Sequence, residues 1–380
     1  MKKKKIMLVF GTRPEAIKMA RLVHALKSEP TLFEVKVCVT SQHRHMLDQV
    51  LKIFEIEPDI DLNLMLHDQN ISNLTTLILS KMQNVFTLNR PDVVLVHGDT
   101  TTTLATSIAA FYSSIPVGHV EAGLRTYNLN APFPEEFNRQ ITGKITKWHF
   151  VPTQLGRQNL LHEGVNKNSI TITGNTVIDT LQWILRRIEK DKDKQKNLET
   201  ILDTKLSFCW KRENFILVTA HRRENFGDGF LEICSALKEI ASKYPKMNIV
   251  YPVHLNPNVS KPVYEILRGI KNIHLTKPLE YEEFIYLLKH SYLVLTDSGG
   301  IQEEAPSLGK PVLVMRDVTE RPEAIKANTV VLVGSNQKRI VTGVSRLLDD
   351  KKLHQEMSLA HNPYGDGLAC KRIVDVLRAI

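Results

Sequence analysis

The chain has 380 residues, with 50 Lys plus Arg against 41 Asp plus Glu (net charge +9), 42% apolar residues and four cysteines. Charged residues at 24% beside ordinary apolar content exclude a disordered scaffold, and at roughly 100–200 residues per domain the length argues for two domains. Cys38, Cys209, Cys234 and Cys370 form no CxxC pair, which argues against a disulfide framework or a zinc site and for a reducing, cytoplasmic compartment.

The start is basic (2–5), but the apolar run that follows, 6–10, is shorter than the ~7–15 residues of a signal peptide core. It reads instead as a first strand, followed by a helix over 15–26, strands over 35–40 and 92–96, a helix over 102–111, and strands over 116–120 and 148–151. The least charged stretch, 93–120, carries His97, Asp99 and a threonine run and is no membrane span. The densest cationic cluster, 186–196, is interleaved with acids; it reads as a solvated helix or linker and gives no track for nucleic acid. The second half repeats the alternation: strands over 215–220, 248–253, 272–275, 292–296, 311–315 and 329–333, helices over 230–244 and 281–290. Strands that are apolar throughout are covered on both faces, so the pattern predicts an α/β chain of two Rossmann-like domains with parallel sheets facing a central cleft. Boundaries are expected at 1–175 and 176–363, with a last helix within 364–380 that either packs on the second domain or returns to the first.

Ligands of open parallel sheets bind beyond the carboxyl ends of strands. The first strand ends in Gly11-Thr12-Arg13-Pro14-Glu15 and opens a helix, offering backbone N–H groups, Arg13 and Lys18 to a phosphate. No GxGxxG follows a strand and no GxxxxGK[ST] is present, which argues against NAD and against a Walker-type ATPase. Two further strands end in His97-Gly98-Asp99 and Glu121-Ala122-Gly123, and Glu135-Glu136 follow in a proline-flanked loop. Carboxylates gathered this way are expected to raise one another's pKa and so move a proton near neutral pH. In the second half one strand runs into His221-Arg222-Arg223-Glu224-Asn225, another into Asp297-Ser298-Gly299-Gly300. Ser-Gly-Gly before a helix suits a diphosphate, Glu304 a pair of ribose hydroxyls, and Arg321 adds a cation.

The segments GTRPEAIKMA (11–20), HGDTTTT (97–103), VEAGLRT (120–126), PEEFNR (134–139), GNTVIDT (174–180), HRREN (221–225), HLNPNV (254–259), DSGGIQEEAPSLGKPVL (297–313) and TERPEA (319–324) closely resemble the non-hydrolysing bacterial UDP-N-acetylglucosamine 2-epimerases. The resemblance implies a GT-B-like fold, usually homodimeric, interconverting UDP-GlcNAc and UDP-ManNAc for surface polysaccharide without NAD or metal. By motif, Asp99, Glu121, Glu135 and His221 resemble the catalytic set, with the C2 base among them left open. Arg13, Lys18, Ser298, Gly299, Gly300 and Arg321 resemble the nucleotide diphosphate contacts, Glu304 the ribose acid and Phe284 a uracil contact. Some members are activated by UDP-GlcNAc at a second site, using residues like Gln42, His43, Arg44, Gln69 and His254. Here His45 and Asp68 stand where many relatives have Gln and Arg, and an acid near a diphosphate is expected to weaken anion binding. Phe133 and Phe137 likewise replace the family's usual Trp and Ala. A hydrolysing relative or a GT-B glycosyltransferase are the alternatives.

Overall fold

A computed structural model describes residues 2–41, 44–64 and 70–380. By its internal contacts the chain divides into one unit of residues 1–180 and 364–380 and a second of Leu181–Pro363.

In the first unit the described strands are β1 (Lys4–Phe10), β2 (Phe33–Val39), β3 (Ile60–Asp61), β4 (Val93–His97), β5 (Val117–Val120), β6 (Trp148–Val151) and β7 (Ile170–Ile172). All neighbours pair in parallel, in the order β3-β2-β1-β4-β5-β6-β7. The apolar runs of the sequence explain this: Ile6 to Phe10 are each at most 1% exposed, because helices cover both faces. One such helix, Ile71–Leu88, packs Ile78, Met82 and Phe86 on Val94 and Val96.

The second unit holds β8 (Phe215–Thr219), β9 (Asn248–Pro252), β10 (Ile273–Thr276), β11 (Leu293–Thr296), β12 (Val312–Val314) and β13 (Val330–Leu332), again parallel, in the order β10-β9-β8-β11-β12-β13. Its core joins Val218, Leu295 and Leu313 of the sheet to Phe230, Leu237 and Val344 of the covering helices. The charged stretch after Arg186 is folded, into the helices Thr176–Lys190 and Lys192–Lys205. The last helix, Ala369–Ala379, belongs to the first unit.

Each sheet runs outward from its first strand in both directions, so the strand order reverses between β1 and β4 in one unit and between β8 and β11 in the other. Such switch points leave a crevice at the carboxyl ends of the two strands. The motifs singled out from the sequence fall there: Gly11 to Lys18 and His97 to Asp99 in the first unit, His221 and Asp297 to Gly300 in the second. Among the described residues no helix is long and apolar enough to cross a membrane.

Candidate active site

In the first unit the loop after β1 is tight. A Cβ on Gly11 would lie 1.9 Å from Thr40 Oγ1, so only glycine passes there. The helix Arg13–Lys27 then starts in a capping box, with Thr12 as cap and Glu15 as its acid. The expectation that this loop offers its N–H groups to a phosphate is corrected in part: Gly11 and Thr12 both donate to Glu15 Oε2, at 3.1 and 2.8 Å. The Thr100 hydroxyl donates to Glu15 Oε1 at 2.7 Å, locking the loops after β1 and β4 together. Arg13 is half-buried, and among the described residues its guanidinium makes no ion pair.

Lys18, one turn on, reaches the carboxylate of Glu121. Glu121 follows β5 directly and adopts φ +63, a left-handed conformation costly for a residue with a side chain. Its Oε2 also accepts from Asn175 Nδ2 at 2.8 Å, and His97 Nε2 lies 3.7 Å away. Burial by itself would raise the Glu121 pKa, but the Lys18 ammonium and His97 outweigh it and hold the carboxyl well below the usual range. Glu121 is thereby corrected from an acid lifted by like charges to a carboxylate that rests in its ionised form, ready to accept a proton, because a lysine rather than another acid is its neighbour.

Asp99 lies one strand over. Its backbone carbonyl accepts from Asn138 Nδ2 at 2.8 Å, and its carboxylate is 3.6 Å from Arg139 Nε. Both partners come from the helix Glu135–Ile145, so Glu135, the first residue of that helix, is carried to the same strand ends. Its neighbour Glu136 turns the other way: fully buried, it accepts from the N–H groups of Thr126 and Tyr127 and from Gln140, and so shapes the loop. Arg125 forks onto Glu163 (2.6 and 3.0 Å) and takes no part at Glu121.

In the second unit Asp297 organises the site, and the sequence reading did not single it out. Fully buried, it accepts with Oδ2 from the N–H groups of His221 and Arg222 (2.8 Å each), and its Oδ1 is 3.8 Å from His221 Nδ1. The His221 pKa is lowered by burial, an effect Asp297 opposes and His254 and Arg222 reinforce. His254, expected at a second site, stacks on His221 with ring centroids 5.4 Å apart. Gln42, His43, Asp68 and Gln69 lie outside the described residues, as do the side chains of Arg44 and His45.

Of the Ser298-Gly299-Gly300 turn, the Ser298 N–H is taken by Thr296 Oγ1 at 2.9 Å, whereas those of Gly299 and Gly300 find no acceptor among the described residues. A Cβ on Gly299 would lie 2.7 Å from Arg321 Nη1, so the guanidinium lies over the turn, held there by Glu303 at 2.6 Å. Glu304 is reached by the Tyr281 hydroxyl, which donates to Oε1 at 3.1 Å. Tyr281 was missed, although it opens the helix Tyr281–His290 that carries the half-buried Phe284. The structure thus gathers Ser298, Gly299, Gly300, Glu304 and Arg321 in one place.

Two parallel-sheet α/β units with polar groups gathered at both switch points define the GT-B-like class. Residues 24–378 match the model of the UDP-N-acetylglucosamine 2-epimerase family. The chain is 58% identical to a UDP-N-acetylglucosamine 2-epimerase of Yersinia pestis and 59% identical to one of Escherichia coli K12, over 98% of each chain. The crystal structure of the UDP-GlcNAc 2-epimerase of Neisseria meningitidis bound to UDP-GlcNAc superposes with a TM-score of 0.92 at 50% identity, covering 99% of this chain and 100% of that one. The chain belongs to the UDP-N-acetylglucosamine 2-epimerase family, a family of isomerases.

Proposed function

We propose that the protein inverts C2 of UDP-N-acetylglucosamine reversibly, giving UDP-N-acetylmannosamine, by anti elimination of UDP to a glycal and re-addition of UDP. The C2 hydrogen is not beside a carbonyl, so its removal has to be coupled to departure of a good leaving group from C1. That calls for a base, a firm hold on free UDP and exclusion of water.

The observation that carries this reading is the pair of carboxylates, Asp99 and Glu121, at the ends of adjacent strands β4 and β5. Glu121 and Asp99, with Glu135 and His221, are assigned the proton transfers. Gly299, Gly300, Ser298 and Arg321 hold the diphosphate, helped by Arg13, and Glu304 with Tyr281 holds the ribose, next to Phe284 for the uracil. Lys18 is assigned to Glu121 in place of the diphosphate. The protein acts in the cytoplasm as a homodimer, needs no NAD or metal, and supplies N-acetylmannosamine units for surface polysaccharide. The relative from Neisseria, bound to UDP-GlcNAc, supports the choice of substrate.

Incubation with UDP-GlcNAc in D2O tests the reading. UDP-ManNAc carrying deuterium at C2 is the expected product; unexchanged substrate overturns it, and free UDP in stoichiometric yield makes the enzyme a hydrolase.

A further inference from the structure

Three groups converge on one oxygen of Glu121. Oε2 takes the Lys18 ammonium and the Asn175 amide, with His97 Nε2 at 3.7 Å, too far for a hydrogen bond; Oε1 accepts none among the described residues. Asn175 is itself fixed. It is 2% exposed, its N–H donates to Tyr364 O at 2.7 Å, and its Oδ1 accepts from Val177 N at 3.0 Å at the start of the helix Thr176–Lys190. That bond sets the amide the right way round, with Nδ2 toward the carboxylate. Asn175 and Tyr364 stand close to where the chain leaves the first unit and where it returns.

We propose that Asn175 is a positioning residue of the reaction: with Lys18 it saturates Oε2 of Glu121 and leaves Oε1 as the atom that exchanges a proton with C2. The proposal rests on Glu121 being one of the catalytic carboxylates. In the direction in which Glu121 is the base, the C2–H bond breaks and its proton goes to Oε1. The C–H electron pair closes the C1–C2 double bond, and the C1–oxygen pair leaves with UDP. In the reverse direction neutral Glu121 gives its proton to C2, the electron pair of the C1–C2 double bond forms the C2–H bond, an oxygen of UDP bonds to C1, and the carboxylate so formed is stabilised again by Lys18 and Asn175. The two oxygens of an ionised carboxylate are equivalent, so what Lys18 and Asn175 fix is the plane and direction of the group: the oxygen in the Oε2 place is saturated and the other is left to react.

Among the described residues the charged and titratable groups that face Glu121 are Lys18, from the helix after β1, and His97, at the end of β4. Asn175 is neutral, so its effect on the acid limb of the rate profile is separable from theirs. Removing a donor from an ionised carboxylate raises its pKa, and the base is then lost at a higher pH.

The test compares Asn175→Ala and Asn175→Asp with the parent enzyme, measuring kcat, KM, UDP binding by fluorescence titration and the pH dependence of kcat. Asn175→Asp keeps an acceptor for Val177 N and so preserves the helix start while setting a second carboxylate against Glu121. A hydrogen bond to a charged group is worth about tenfold to a hundredfold. Both variants are expected to lose about that much kcat, with KM and UDP affinity changed less than about threefold and the acid limb moved up by roughly one pH unit, further in Asn175→Asp. Wild-type kcat with an unmoved acid limb in folded Asn175→Asp overturns the proposal, as does a loss confined to KM or to UDP binding. Glu121→Gln separates this from the underlying reading. If it exchanges C2 hydrogen at the parent rate, Glu121 is not catalytic and both fall; if it is inactive while Asn175→Asp is normal, only the role of Asn175 falls.

Discussion

Asp297 sets the chemistry of the second unit through its neighbours. Fixed by two backbone N–H groups and the Asn225 amide, it holds one oxygen near His221, whose imidazolium it favours against burial. Replacing Asp297 by Asn removes the negative charge, so the His221 pKa is expected to fall further below its ordinary value. The sign is fixed because the lost interaction stabilised only the charged ring. An NMR titration of the His221 ring protons reads this directly, and an unchanged or raised pKa would show that burial alone sets it. The lost charge-assisted bonds are also expected to lower stability by about 1.5–3 kcal/mol. In the sequence Asp297 is only the residue before a Ser-Gly-Gly turn. Strand ends, carboxylates and the histidine were legible because they punctuate apolar runs, whereas a buried acid that acts by holding others carries no such mark. The same holds for Glu15, Asn175 and Tyr281, each visible only once the fold sets its partner, Thr100, Glu121 or Glu304, beside it. Lys18 was legible as a cation near a strand end, yet its partner, Glu121, lies 103 residues away in sequence.

At the scale of elements, strand positions followed from apolar runs to within a residue or two: 6–10 against Lys4–Phe10, 92–96 against Val93–His97, 292–296 against Leu293–Thr296. The two-residue strand β3 and the half-exposed β7 escaped, since neither is a sustained apolar run. Adjacent strands β5 and β6 also place two histidines opposite one another, His119 and His149, both buried. Burial pushes the His119 pKa down to about 3, against a hydrogen bond with Gly98 O, and that of His149 to about 4. Between about pH 6.5 and those values the unfolded chain binds protons that the folded strands refuse. Stability is therefore complete above about 6.5 and declines as pH falls, by up to about 1.4 kcal/mol per pH unit for each histidine. The depressed pKa of Glu121 adds a further loss below its ordinary value of 4.5. Unfolding by urea at pH values from about 8 to about 4.5 is expected to show this decline, and His119→Gln to flatten it by about the share of one histidine. An identical slope in the variant would mean that His119 does not stay neutral.

At the scale of the whole molecule, the first unit is completed by the end of the chain. The helix Ala369–Ala379 buries Cys370, Ile373, Val374 and Leu377, and the buried Asp179 carboxylate accepts from the N–H groups of Ala369 and Cys370 at 3.1 and 2.9 Å. Lys4 Nζ donates to Leu377 O at 2.8 Å, tying the first strand to the last helix. Periodicity left open where this helix packs, because an apolar stripe says that a face is covered and not by what. Burying Ile373, Val374 and Leu377 is worth about 1.5–3 kcal/mol apiece, together comparable with the 5–15 kcal/mol that holds a whole domain folded. Deleting residues 369–380 is therefore expected to abolish the calorimetric transition of the first unit while the second keeps its own transition and its upward shift with UDP. Ile373→Ala, a milder change that leaves a cavity, is expected to cost about 2–5 kcal/mol in the same transition. Loss of both transitions on truncation would show that the second unit needs the first to fold. Retention of both would mean that the helix closes the chain without contributing to the core beneath it.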